Sequence, residues 1–135
     1  MRALPRLQFY SGVEPWAEAL VRALEGQEAT EPFVWYGVAA TIGYQNSYVD
    51  GSDVAEFRRD GEGNVWVRGI INKASPSATE TIWTFPTGFR PRITVNLTSD
   101  GYQFTVDANG DLKYQGGGMS GDANMAAIVF VADGT

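Results

Sequence analysis

The sequence predicts a mainly β protein: an antiparallel β-sandwich or jelly-roll-like head domain with a short N-terminal helix. Three observations carry this prediction. From about residue 33 onward, short β-branched and aromatic runs alternate with Gly/Asn/Asp clusters. Period-two alternation is plain in NVWVRGII, where Val65, Val67, Gly69 and Ile71 share one face and Trp66, Arg68 and Ile70 the other. The only helical spacing lies earlier, where Trp16, Leu20 and Leu24 recur every fourth residue.

The chain therefore divides at Thr30-Glu31-Pro32 into an N-terminal segment, residues 1–32, and a head domain, residues 33–135. Within the first, Arg2, Pro5 and Arg6 read as an arm. Pro15 occupies the first helical position and Gly26 can close the helix. A helix of about three turns is too short to stand alone in water, so its Trp16/Leu20/Leu24 stripe must dock. It can fold back on the head or contact a neighbouring subunit, and attachment and oligomerisation is its expected role.

The head's expected strands are 33–39, 41–49, 54–59, 64–72, 80–85, 92–98, 102–106, 112–115 and 125–132. Their connections carry turn chemistry: Asp60-Gly61-Glu62-Gly63, Ser99-Asp100-Gly101 and Asn109-Gly110. Tyr102, Phe104 and Val106 share a face in the seventh strand. The stretch WTFPTGFRP, 83–91, reads as a structural corner. Pro86 ends ladder pairing, Gly88 permits a positive φ, and Pro91 restarts an extended chain while Trp83, Phe85 and Phe89 wedge between layers. Trp66 and Trp83 are both expected in the core. GGGMSG at 116–121 reads as a flexible loop without the Gly-Lys-Ser/Thr of a phosphate loop.

Inventory narrows the chemistry. With no cysteine and no histidine, thiol nucleophiles, disulfides, imidazole or thiolate zinc sites and Ser-His-Asp triads are excluded. A formal net charge of −6 suits phosphate backbones poorly, so no nucleic-acid partner is expected. No run approaches the ~20 apolar residues of a membrane span, and MRALPRLQFYSG lacks the features of a signal peptide. Membrane insertion and a cofactor are not expected.

Three constellations remain. Asp107-Ala108-Asn109-Gly110-Asp111 resembles the opening of a calcium loop, but lacks the distal acid and reads better as a hairpin turn; no metal site is expected. Asp50, Asp53 and Glu56 could in principle serve glycoside hydrolysis, yet Asp50-Gly51-Ser52-Asp53 is an ordinary turn. In IGYQNSYVDGSD, Tyr44, Gln45, Asn46 and Tyr48 combine rings with amides. Saccharides need that mixture, because pyranose C–H faces stack on π faces while hydroxyls take polar partners. These four are the candidate binding residues.

The strings Phe57-Arg58-Arg59, Gly63-Asn64-Val65-Trp66-Val67-Arg68-Gly69 and Ile82-Trp83-Thr84-Phe85-Pro86-Thr87-Gly88-Phe89-Arg90-Pro91, with the later Phe104–Leu112 hairpin, resemble the head domains of tailed-phage tail-fibre and receptor-binding proteins. The similarity spans roughly 54–131. It departs from the pattern at Trp83, where an aliphatic is usual, and at Phe85, where Leu is usual. The resemblance implies a non-enzymatic homotrimeric virion protein with a β-sandwich head, from a phage or phage-like gene-transfer particle. It would be made in the host cytoplasm and placed in a tail, baseplate or spike. Residues 1–32 would contact other virion proteins, and the head a host saccharide or another virion protein. The resemblance carries over no catalytic or binding residue. The rival readings are a monomeric carbohydrate-binding module and a small glycan hydrolase.

Overall fold

The computed structural model describes residues 34–134. The Trp16/Leu20/Leu24 helix and its attachment role lie outside them. From Trp35 onward the chain forms one compact unit. Its strands are β1 (Tyr36–Gly37), β2 (Val49–Asp50), β3 (Glu56–Arg59), β4 (Asn64–Arg68), β5 (Ile70–Lys73), β6 (Glu80–Thr84), β7 (Val95–Ser99), β8 (Tyr102–Val106), β9 (Asp111–Gly116), β10 (Gly121–Asn124) and β11 (Val129–Val131). They assemble into antiparallel sheets ordered β1-β3-β4-β11, β10-β5-β2 and β6-β9-β8-β7. The predicted mainly β, layered antiparallel architecture is observed.

The core lies between the two four-stranded sheets. Phe57, Val65, Val67 and Phe130 turn inward from one, and Trp83, Phe104, Val106, Leu112 and Tyr114 from the other. The 83–91 corner joins them. Phe85 is wholly buried and meets Phe57 at 5.5 Å, Trp83 at 5.6 Å and Phe130 at 5.3 Å between ring centroids. Each pair sits near edge-to-face, the geometry that ring quadrupoles favour. Phe89 N–H donates to the Pro86 carbonyl (3.0 Å) across Thr87-Gly88, and Gly88 takes the positive φ of 94° that this turn requires. Arg90 Nε donates to the Phe85 carbonyl at 2.8 Å, and Arg59 Nη1 to the Gly88 carbonyl at 2.7 Å. The corner is built as the sequence indicates.

Several expectations change. The 64–72 strand is two strands in different sheets, divided at Gly69, whose φ is 99°. A Cβ there would lie 2.0 Å from the Val54 carbonyl oxygen, so this sheet-to-sheet crossing admits only glycine. Among the described residues of the expected 33–39 and 41–49 strands, Val38–Thr41 forms one helical turn and a loop follows, leaving Tyr36–Gly37 and Val49–Asp50 as the strands. The 125–132 strand shrinks to Val129–Val131, and an unforeseen strand, Gly121–Asn124, pairs with β5.

Trp83 is buried as expected, but Trp66 is 40% exposed. Parity decides this: Val65 and Val67 point inward, so Trp66 between them must point out. Its Nε1 donates to Asp60 Oδ2 at 2.9 Å. The 116–121 loop is anchored, because Met119 is buried and the Tyr114 hydroxyl accepts from the Gly118 and Met119 amides at 3.0 and 2.9 Å.

Two variants test these joints. Gly69→Ala should lower stability by about 3 kcal/mol or more, because both backbone conformation and space forbid the methyl group. Phe85→Ala should cost about 3–5 kcal/mol as a core cavity. Urea midpoints of the full chain measure both, and a shift within 0.5 kcal/mol for either (roughly the surface-substitution range) would contradict the assignment.

Candidate functional site

The candidate binding residues sit on one loop, 43–48, which lies along the outer edge of β6. Two main-chain carbonyls of that edge are taken up by the loop: Gln45 N–H donates to the Ile82 carbonyl and Asn46 Nδ2 to the Thr81 carbonyl, both at 2.8 Å. An otherwise bare sheet edge is thereby capped. Reversing the chain so tightly places Asn46 and Ser47 at φ values of 55° and 66°, in the left-handed region that asparagine tolerates better than most residues.

The structure divides the four residues. Gln45 and Asn46 are exposed. Tyr44 is half-buried, with its ring edge-on to Trp83 at 5.8 Å and its hydroxyl donating to Asp50 Oδ1 at 2.6 Å. Tyr48, expected as a surface ring, is 1% exposed and belongs to the core; its hydroxyl donates to Glu80 Oε1 at 3.1 Å. Burial, reinforced by each carboxylate partner, raises both phenols above the ordinary tyrosine value. Tyrosine at 44 and 48 therefore builds the platform, and the amides of 45 and 46 form its surface.

Charged and hydroxyl groups complete the edge. Lys73 Nζ reaches Glu80 Oε2 at 2.8 Å and the Asn46 carbonyl at 2.7 Å. The Lys73 ammonium, then the Ser77 amide, hold the Glu80 carboxyl below its usual value, against a smaller opposing effect of burial. Gln45 Nε2 donates to Thr84 Oγ1 at 2.8 Å, and Thr84 Oγ1 donates onward to Asp111 Oδ1 at 2.7 Å. This chain leads from the loop onto the outer face of the β6-β9-β8-β7 sheet. There Thr81 pairs with Lys113, Lys113 with Thr105, and Thr105 with Asn96 in one cross-strand rank. Sequence reasoning missed this face, although the inward Tyr102/Phe104/Val106 already implied outward Gln103 and Thr105.

The remaining constellations have structural occupations. Asp50 accepts from Tyr44 and from the Ala55 amide (3.0 Å), Asp53 from the Val54 amide (2.9 Å), and Glu56 from Arg68 Nε (2.8 Å). Asp107–Asp111 is the β8–β9 hairpin: Asp107 N–H donates to the Asp111 carbonyl, Gly110 N–H to the Asp107 carbonyl, and Lys113 pairs with Asp107 at 2.8 Å. Among the described residues, no group of acidic side chains is arranged to hold a metal ion, and no helix is long and apolar enough to cross a membrane.

No protein-family model matches the sequence. No curated protein matches it either. Among solved structures, the fold is similar to that of the receptor binding protein (gp15) of Listeria phage PSA. That match has a TM-score of 0.61 and 18% sequence identity, and it covers 95% of this chain and 82% of that one. The likeness is one of fold.

The Lys73–Glu80–Tyr48 linkage predicts a pH dependence. Because Glu80 titrates lower folded than unfolded, its stabilisation is complete above about pH 5 and is lost as pH falls through the folded value. Thermal midpoints should therefore decline between about pH 5 and 3, and decline less in Glu80→Gln. Parallel pH profiles for the two proteins would refute the linkage.

Proposed function

We propose that this chain is a non-enzymatic structural virion protein of a tailed phage or phage-like particle. It acts as a homotrimeric fibre, spike or tail-tip component. Residues 1–32 attach it to the particle and carry its self-association through Trp16, Leu20 and Leu24. The β head turns outward and adheres to a host-surface saccharide. The observation that carries the reading is the shared fold: 95% of the chain is covered in the match to a phage receptor binding protein.

The site chemistry supports it. Gln45, Asn46, Thr81 and Thr84 offer neutral amides and hydroxyls at a capped, rigid edge. Such groups match the donor and acceptor demands of a sugar without the cost of desolvating a charge. Asp50 and Glu56 are committed to backbone and ion-pair partners, which favours adhesion over hydrolysis.

Light scattering of the full chain tests the assembly. The expected mass is three times the 14.7 kDa chain mass. A monomer at micromolar concentration would sink the trimer and favour the rival single-chain carbohydrate-binding module, which the same polar face would also suit. Adhesion itself is read by co-sedimentation of the fluorescently labelled chain with intact bacterial cells, and failure to sediment with any of them would count against it.

A further inference from the structure

The outer face of β7, β8 and β9 contains a second feature, away from the 43–48 loop. The Asp100-Gly101 turn, with φ values of 56° and 82°, sets β7 against β8 with Val95 opposite Val106 and Leu97 opposite Phe104. Those side chains turn inward, so Asn96, Thr98, Gln103 and Thr105 turn outward. In β9 the register slips by one residue, with Gln103 opposite Gly116 and Phe104 opposite Tyr114. Gln115 is the extra residue, and its Nε2 donates to Thr105 Oγ1 at 2.9 Å. The result is a depression of about 330 Å³ lined by Asn96, Thr98, Gln103, Thr105 and Gln115.

An adjoining depression of about 410 Å³ opens between β7 and β11, and shares Asn96 and Leu97 with the first. Its walls are mainly apolar, formed by Ile93, Val95, Leu97, Val129 and Val131, with Ile93 64% and Val131 52% exposed, and the Arg92–Asp133 ion pair (3.5 Å) also lines it. Each volume lies within the range of small-molecule sites. Together they make a trough that passes over the β7 edge, with an amide-and-hydroxyl half on the outer face and a mainly apolar half facing β11.

We propose that this trough binds an uncharged saccharide segment, with hydroxyls on the amide half and sugar C–H faces on the apolar half. The inference rests on the adhesion reading above and places its ligand. Two features select the ligand class. Among the described residues no ionisable side chain lines the polar half, so a charged ligand would find no counter-charge there. Among its side chains only the Gln115–Thr105 bond is internal, leaving the Asn96, Thr98 and Gln103 side chains turned outward with their hydrogen-bonding capacity unspent. The site is also held in shape. Ser99 Oγ donates to the Asn124 carbonyl at 2.6 Å and accepts from Ala127 N–H at 3.2 Å, while Asp100 accepts from the Asn124 amide at 3.0 Å. These bonds fix the tip of the β7–β8 hairpin, so little ordering would be required on binding.

The test titrates the isotope-labelled full chain with methyl glycosides of glucose, galactose, rhamnose and N-acetylglucosamine, and with a purified neutral cell-wall polysaccharide. The expected result is shifts of the Asn96, Gln103 and Gln115 side-chain amide signals. Polysaccharide affinity should also fall about tenfold or more in Gln103→Ala and in Gln115→Ala, as loss of a binding hydrogen bond implies. An unchanged thermal midpoint and an otherwise unchanged amide spectrum confirm that each variant folds. Saccharide binding that is lost in Gln45→Ala and retained in both trough variants would overturn the trough while leaving adhesion intact. No response to any of these saccharides would also overturn it, and cell co-sedimentation then decides the adhesion reading separately. Perturbation by an added extended peptide, confined to the backbone of β7, would replace the saccharide with a strand-adding partner.

Discussion

The head depends on the burial of Phe85 at the corner between its two larger sheets. Its ring is packed by Phe57 and Phe130 from one sheet and Trp83 from the other, while its backbone is fixed by Gly110 and Arg90. Burying a phenylalanine contributes about 2–3 kcal/mol, and each edge-to-face contact about 1 kcal/mol more. More consequential is where that energy is applied. Phe85 follows directly after β6, so the same contact sets the position of the edge on which the 43–48 loop rests.

From that joint the two edges of the β6-β9-β8-β7 sheet take different fates. At β6 the loop supplies donors to two carbonyls, and the half-buried Tyr44 and buried Tyr48 hold it in place. Among the described residues no strand pairs with the outer edge of β7, and a trough lies between it and β11 instead. A capped edge gives rigidity, and an open one gives access. The outer face between them carries Thr, Asn and Gln, the Asp111 carboxylate that accepts from Thr84, and the Lys113–Asp107 ion pair, in which the Asp107 carboxylate raises the ammonium's pKa. Although the chain's net charge is −6, the depression lined by Asn96, Thr98, Gln103, Thr105 and Gln115 has no ionisable side chain among the described residues.

Trp66 shows a different kind of construction. It is exposed, yet its indole is held by Asp60, which also accepts from the Glu62 and Asn64 amides and from Asn64 Nδ2. Burial works to raise the Asp60 pKa, but these four donors, led by Trp66, outweigh it and keep the carboxyl ionised below its usual value. One carboxylate therefore closes the β3–β4 turn and orients an outward ring.

Sequence by itself determined the class of the head, its turn positions and the structural role of the 83–91 corner. Those features depend on local φ/ψ limits and on period-two alternation, which adjacent residues express directly. The same alternation in NVWVR already assigned Trp66 to the outer face, although its size suggested the core. Tertiary structure alone decided where Gly69 divides a strand, that Tyr48 is buried against Glu80, and that residues from β7, β8, β9 and β11 share a trough. These outcomes depend on contacts between residues far apart in the chain. Local pattern gives a side chain's face, but only the pairing of distant strands decides whether that face meets solvent or another layer.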